Sequence, residues 1–275
     1  MSKKQLIMEK SLDLFARQGF EATSVQQITS YCGISKGAFY LAFKSKDELI
    51  IALIDHFMKQ ITMDIDYTVR NTNKADTLYY FYHTLFTAFL KHSKFAKLLM
   101  KEQTQPLNEE LLSKMRYYDN LVDQSILAMV EKTYGHKIEP IKYDLVYTIK
   151  GLMNSYSTLF LFNTLVLNVE LVSKSLVEKT NILANHMSVP FITTDLIKSF
   201  KNEVEDMSKE SLAELLSQSI EELDESIEKE SLLILKEQLL MESYSLAIVK
   251  GMLENIRNHP DCKWISYLLR KYFQL

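Results

Sequence analysis

Apolar residues recur every three or four positions along most of the chain, and this spacing predicts helices. The pattern predicts a first helix at 3–18 and a long helix from Ser45 to about Arg70. No segment alternates apolar and polar residues for long enough to predict a strand, so we expect an all-α protein. Further helices are expected at about 75–92, 94–103, 107–134, 140–168, 170–187, 193–203, 208–224, 226–257 and 261–273.

Within residues 23–49 the pattern breaks into three short helices. Ser24, followed three residues later by a glutamine, has the spacing of a capping box at a helix start. Ser45, followed three residues later by a glutamate, has the same spacing. Gly33 lies between the first two helices, where a turn requires a residue that tolerates the left-handed conformation. Two helices joined by a short glycine turn form a helix-turn-helix.

The second of these helices is expected to begin after Ser35 and to bury Phe39 and Phe43. Its other side offers small side chains, one cation and no acid. Such a surface can approach phosphates and base edges in a major groove. The outward residues are Lys36, Gly37, Ala38, Tyr40 and Leu41.

This stretch resembles the N-terminal DNA-binding domain of the TetR/AcrR family of bacterial repressors. The match has fixed spacing and covers about the first 50 residues, under a fifth of the chain. Its residues are Ile7-Met8, Ser11, Leu14-Phe15, Gly19-Phe20, Thr23-Ser24-Val25, Ile28, Cys32 to Tyr40, Phe43 and Ser45-Lys46-Asp47-Glu48-Leu49.

The resemblance implies a homodimeric, DNA-binding transcriptional regulator, most simply a ligand-responsive repressor of an adjacent efflux or lipid-related gene. Ligand binding would move the helix that starts at Ser45 and change the separation of the two DNA-binding domains. The partners implied are a double-stranded DNA operator, a second copy of the chain and a small hydrophobic or cationic inducer. The candidate DNA-binding residues are Thr23, Ser24, Gln26, Ser35, Lys36, Gly37, Ala38, Tyr40 and Lys46.

Three domains are expected along the chain. Residues 1–48 would form the helix-turn-helix domain, and residues 49–190 a larger helical domain for ligand binding and dimerisation. Members of the family usually end near residue 190, so residues 191–275 would be a helical extension. Its apolar stripes predict that it packs, and we expect it on the second domain.

Charge is distributed unevenly along the chain, whose formal net charge is −3. Residues 1–46 hold seven Lys and Arg against three acids, net +4, whereas residues 200–242 hold 13 acids against four lysines, net −9. The basic end can meet DNA and the acidic end should stay away from it. Two cysteines far apart and no apolar stretch in the first ten residues suit a cytoplasmic protein without disulfides or a signal peptide.

Aromatic residues are dense in the segment 78–95, which carries seven rings. Core packing is the simpler explanation, and an aromatic-lined pocket for a hydrophobic or cationic ligand is the functional one. Glu102, Asp119 and Asp123 could balance a cation, although we expect them on the solvated surface. The candidate ligand-binding residues are Phe81, Phe89, Tyr117, Tyr118, Tyr156 and Phe160.

The uncharged run 151–169 has the length of a membrane span. Seven of its 19 residues are polar, so a helix buried between subunits is the preferred interpretation. The resemblance agrees, because it implies a four-helix bundle at the dimer interface, built here from 140–168 and 170–187.

Enzyme chemistry finds no support in the sequence. We find no phosphate-binding glycine motif, and the six histidines lack the spacing of a metal site, so no catalytic residue, metal or cofactor is expected. Two hypotheses that involve no catalysis are left: the ligand-responsive regulator, and a ligand-independent architectural or nucleoid-occlusion factor.

Overall fold

The computed structural model describes residues 3–102, 109–162, 168–201 and 208–275. Every regular element in these ranges is a helix, which confirms the predicted all-α class. The chain forms two compact units, Met1–Lys198 and Ser199–Leu275. The first four helices are α1 (Lys3–Gln18), α2 (Val25–Cys32), α3 (Lys36–Ala42) and α4 (Lys46–Asn71).

The three short helices begin where their predicted caps lie. The Ser24 hydroxyl accepts the Gln27 amide and the Gln27 side chain accepts the Ser24 amide, so the first capping box is confirmed. The capping box predicted at Ser45 forms only in part. Its hydroxyl accepts the Glu48 amide, but the Glu48 carboxylate accepts the amide of Lys44, one residue earlier.

The rest of the first unit is a helical body built around aromatic and aliphatic side chains. Phe81, Tyr82 and Phe86 of the fifth helix are fully buried and pack with Leu145 and Leu176 of later helices. The aromatic density of this segment therefore fills a core. The helices of the body are α5 (Thr77–Lys91), α6 (Ser93–Glu102), α7 (Glu109–Tyr134), α8 (Lys142–Phe162) and α9 (Val169–His186). Helix α10 (Thr194–Lys201) follows and includes the boundary between the two units.

Helix α4 extends from the helix-turn-helix into the body, where its second half joins this core. Its 26 residues make it about 39 Å long at 1.5 Å per residue. Its last carbonyls are satisfied from α7, because the Lys132 ammonium donates to the carbonyls of Val69 at 2.7 Å and Thr72 at 2.5 Å. A cation at a helix C-terminus also opposes the helix dipole favourably.

Asn168 was predicted to end a helix spanning 140–168, and this prediction is wrong. Its side chain accepts the Leu171 amide at 2.9 Å, so it caps the start of α9. Asparagine is favoured at this position because its short side chain reaches a free amide of the first turn. The predicted helix ends at 103, 107 and 203 lie outside the described residues.

The second unit has a core of its own. Leu212 and Leu216 of its first helix are buried with leucines of the next, and the Arg270 guanidinium bonds to Glu254 at 2.8 Å between its last two helices. The helices are α11 (Lys209–Glu222), α12 (Ile227–Leu240), α13 (Leu246–Ile256) and α14 (Lys263–Tyr272).

A single helix was predicted over 226–257, and the structure divides it into α12 and α13. Beyond the buried Leu239, the next positions on the same face are Glu242 and Ser243. A continuous helix would have turned these polar residues toward the core, which carries a free-energy cost. The chain instead turns after Leu240, and the Ser245 amide donates to the Gln238 side chain at 2.8 Å. The predicted domain limits at 48 and 190 stay predictions.

Candidate nucleic-acid interface

The inner side of α3 is anchored in the small core of the helix-turn-helix. Phe39 is wholly buried and Phe43 is 1% exposed, with their ring centroids 6.1 Å apart. Ile28 of α2 is buried with them. Gly33 separates the two helices with φ +68°, a conformation that glycine adopts without strain. These contacts determine which side of α3 faces outward.

The outward side of α3 is exposed, as predicted. Ser35, Lys36 and Gly37 are exposed at its start, and Ala38 is half-buried behind them. Tyr40 is 52% exposed and its ring packs edge-on against Phe39. This side combines a cation, two hydroxyls and little bulk, which suits contacts with phosphates and base edges.

Leu41 is 91% exposed, the most exposed of the large apolar side chains in the described residues. Exposing leucine on the same side as Lys36 and Gly37 leaves an apolar surface without a partner inside the domain. In a major groove, an apolar side chain of this kind can pack on the methyl group of thymine. Leu41 was expected on the outward side of α3, and it was not among the candidate DNA-binding residues.

The helix α2 contributes Ser24 and Gln26, both exposed. Thr23, in contrast, is wholly buried in the connection between α1 and α2. Its hydroxyl donates to the Gly19 carbonyl at 2.7 Å and accepts from the Gln18 side chain at 3.1 Å. The side chain of Thr23 therefore stabilises this connection and has no surface to offer to DNA, which corrects its selection as a DNA-binding residue.

Lys46 lies at the start of α4 and is half-buried. Its ammonium donates to the carbonyl of Phe20 at 2.8 Å. The amide of Phe20 donates in turn to Oε1 of Glu102, the last residue of α6, at 3.2 Å. Glu102 is 5% exposed, so the expectation that it lies on the solvated surface is wrong. The pattern of α6 gave no sign of this contact, because the partner is a backbone group distant in sequence.

Two cations of α1 lie over an aromatic ring of α2. Lys10 and Arg17 lie over the ring of Tyr31, at 5.4 and 6.0 Å from its centroid. Burial raises the pKa of the nearby Cys32 thiol, with Lys10 opposing the shift, so this cysteine stays protonated at neutral pH. Cys32 and Cys262 are both free thiols, as expected.

Four of the candidate ligand-binding residues lie in or against buried parts of the body. Phe81 lies inside the body core, with Phe89 and Tyr156 packed against its margin. Tyr118 is buried, and its hydroxyl donates to Asp55 of α4 at 2.8 Å. Burial is the main cause that raises the pKa of Tyr118.

The remaining two candidates are Tyr117 and Phe160. The ring of Tyr117 meets that of Tyr118 at 5.3 Å, and the side chain of Phe160 lies outside the described residues. The two acids considered for a cationic ligand, Asp119 and Asp123, both pair with Lys150, at 2.9 and 2.6 Å.

A different cavity lies between α4 and α5. It is an open cleft of about 220 Å³, and none of the six candidates lines it. Burial and the neighbouring Lys91 lower the pKa of His92 at one side of the cleft. The lining residues are Asp64, His83, Thr84, Thr87, Ala88, Lys91 and His92.

Two further kinds of feature are absent from the described ranges. No group of three or more His, Cys, Asp or Glu side chains lies close enough to hold a metal ion there. None of the helices described combines the length and the apolar character that a membrane crossing requires.

Comparison with known proteins gives relatives over the whole chain. A family model described as bacterial regulatory proteins, tetR family, matches residues 7–53. The HTH-type transcriptional regulator YerO of Bacillus subtilis strain 168 is 31% identical over 275 residues, covering 94% of this chain and 91% of YerO. YuxN, an HTH-type transcriptional regulator of the same strain, is 27% identical over 98% of both chains. The alignment with YuxN therefore extends into the second compact unit.

Solved structures of lower identity share the fold of about two thirds of the chain. A transcriptional regulator from Pseudomonas aeruginosa PAO1 is 13% identical with a TM-score of 0.59, covering 67% of this chain and 91% of that one. FadR from Bacillus subtilis in complex with stearoyl-CoA is 18% identical with a TM-score of 0.57, covering 65% and 97%. A regulator of Aquifex aeolicus VF5 is 23% identical with a TM-score of 0.50, covering 66% and 99%.

Proposed function

The chain belongs to the TetR family of bacterial regulatory proteins and is a DNA-binding transcriptional regulator, and we propose that it acts as a homodimeric repressor that a small ligand releases from its operator. The observation that carries this proposal is the exposed side of α3. Phe39 and Phe43 bury one side of the helix and leave a small, basic surface on the other. A surface of this composition fits a major groove.

Each proposed DNA contact has a specific chemical role. Lys36 and Tyr40 carry an ammonium and a hydroxyl for phosphates, and Gly37 permits close approach of the α3 backbone. Lys46 retains two N–H groups for a phosphate after its bond to Phe20. Leu41 supplies an apolar surface for a thymine methyl. The remaining proposed contacts are Ser24, Gln26, Ser35 and Ala38.

The dimer would form through the outward sides of α8 and α9. Among the side chains that the structure describes there, four large apolar ones are exposed: Tyr147 and Leu159 on α8, each 44% exposed, with Leu171 and Ile182 on α9, 65% and 53% exposed. Exposed apolar surface on paired helices is typical of a subunit interface. Two helix-turn-helix domains related by a two-fold axis meet successive major grooves about 34–36 Å apart, so the operator would be a near-palindrome.

For the ligand, we propose a hydrophobic compound rather than a cation. Asp119 and Asp123 are both paired with Lys150, and Glu102 accepts the Phe20 amide, so these three carboxylates are already engaged. The likeness in fold to FadR, which was solved with stearoyl-CoA, supports long-chain acyl compounds as the first class to test.

The test begins with selection of DNA duplexes from a random library by the full-length protein. We expect an enriched near-palindrome bound by one dimer, measured by footprinting and by the mass of the complex. A single half-site bound by a monomer, or no enrichment at all, would contradict the proposal. Thermal shift with acyl-CoAs and with lipophilic cations then tests the ligand. If neither class shifts the melting temperature nor releases the duplex, the ligand-independent alternative is favoured.

A further inference from the structure

Phe20 connects three parts of the first unit through its own backbone groups. It lies between α1 and α2, and its side chain is 6% exposed against Phe15, with ring centroids 5.0 Å apart. Its carbonyl accepts from Lys46 of α4 at 2.8 Å. Its amide donates to Glu102 of α6 at 3.2 Å. The backbone carbonyl and the backbone amide of Phe20 are thus each hydrogen-bonded to a side chain, one from α4 and one from α6.

We propose that Glu102 is a positioning residue for DNA binding, which sets the orientation of the helix-turn-helix on the body through the Phe20 amide. This inference rests on the proposed function, since orientation matters only if two domains bind one duplex together. Glu102 itself touches no DNA in this proposal.

The burial of the Glu102 carboxylate supports a geometric role. Removing a charged carboxylate from water carries a large free-energy cost, and a hydrogen bond from a backbone amide offsets it only in part. A glutamine would accept the same bond without burying a charge. A hydrogen bond to a charged acceptor is, however, roughly twice as strong as one to a neutral acceptor. Compared with a glutamine, the charged side chain of Glu102 therefore holds the Phe20 amide more firmly and makes the folded protein less stable.

Another polar contact of α6, made with α1, provides a matched comparison. Lys94 of α6 pairs with Asp13 of α1 at 2.6 Å, and their side chains are 67% and 30% exposed. Exposed ion pairs contribute little, because water and salt screen them and both side chains lose freedom. We therefore assign the positioning role to the buried bond of Glu102 and not to the Lys94 pair.

The consequence concerns the spacing of the two half-sites. Inserting one base pair between them moves one half-site by about 3.4 Å and turns it by about 35° around the duplex axis. A dimer whose domains are firmly oriented tolerates one spacing and rejects its neighbours. A dimer whose domains have lost the Phe20–Glu102 bond accommodates several spacings, while its non-specific attraction to phosphates is unchanged.

The experiment measures binding of full-length protein to the duplex selected by the wild type, and to versions with one or two base pairs added or removed at its centre. For Glu102→Ala we expect the preference for the original spacing to fall by about tenfold, with affinity for random duplex unchanged. Glu102→Gln retains an acceptor and should restore most of the preference. Lys94→Ala is the control and should keep the wild-type profile.

The proposal is overturned if Glu102→Ala keeps the wild-type spacing profile, or if Lys94→Ala loses it equally. If Glu102→Ala does not fold, the test is the rate of hydrogen exchange at the backbone amides of residues 19–22 in the wild-type protein. Protection at Phe20 is expected, and exchange at the rate of a free loop would overturn the inference. Selection without any enriched duplex would instead show that the proposed function has failed, and this proposal would fall with it.

Discussion

Replacing Gly37 with alanine should move protein stability and DNA affinity in opposite directions. An added Cβ would have Ser35 Oγ as its nearest neighbour, at 3.8 Å, which is an ordinary van der Waals distance. Nothing inside the domain therefore requires glycine here. Alanine is favoured over glycine in a helix by roughly 0.5–1 kcal/mol, and the position near the start of α3 suggests the lower end of that range.

The same methyl group would project from the surface proposed to meet DNA. If the α3 backbone approaches the groove closely, an extra methyl costs about 1–3 kcal/mol of binding free energy, which corresponds to a loss of operator affinity of roughly 5-fold to 150-fold. Urea unfolding and gel shift at one salt concentration measure the two quantities. Gly251→Ala is the control, because Gly251 is an exposed helical glycine of α13 with open space around it.

Two results would refute this reasoning. If Gly37→Ala bound the operator as tightly as the wild type, close approach of the α3 backbone would be wrong. If it unfolded at lower urea concentration than the wild type, the glycine would be required by the domain itself. Gly251→Ala should gain stability without any change in operator affinity.

Three further predictions concern charge, core and domain structure. Lys36→Ala should lower the slope of log K against log salt by about 1.8, since each lost phosphate contact removes about 0.9 and a dimer loses two. Lys74→Ala removes the same charge just beyond the far end of α4, a helix about 39 Å long, which is several Debye lengths, and should leave the slope unchanged. Thr180→Val should destabilise the protein by about 1–3 kcal/mol, because it leaves the buried Tyr82 hydroxyl without its partner at 2.8 Å. Tyr82→Phe should cost only about 0.5–1.5 kcal/mol, since the threonine still donates to a helix carbonyl, and urea unfolding of both variants tests the order. A fragment of residues 208–275 should fold alone as a helical bundle with a cooperative thermal transition, and an unfolded fragment would show that its core needs the rest of the chain.

The helices of the helix-turn-helix were predicted well because the interactions that define their ends join residues close together in the sequence. The caps at Ser24, Ser35 and Ser45 each depend on residues within three positions, and the turn at Gly33 depends on one residue. The buried side of α3 follows from the spacing of its two phenylalanines. Features of this kind are readable from sequence because the groups that interact are neighbours in the chain.

The features that the sequence did not reveal depend on distant partners. Glu102 has the composition and spacing of a surface residue, and only the fold places its carboxylate against an amide 82 positions earlier. Thr23 matched the family pattern as a polar residue, yet its hydroxyl bonds within the connection that it stabilises. The division of 226–257 followed from which positions face the core, and that requires knowledge of the neighbouring helices.

The small size of the helix-turn-helix links its stability to its orientation. Domains of fewer than about 60 residues bury a limited share of their surface and are marginally stable alone. The three helices before α4 therefore depend on contacts with α4 and α6, and the same contacts determine how the domain is aimed at DNA. Substitutions that change the spacing preference should accordingly occur in the buried contacts around Phe20 as well as on α3. Substitutions on the exposed side of α3 should change which bases are preferred and leave the spacing preference intact, because they do not touch the contacts that orient the domain.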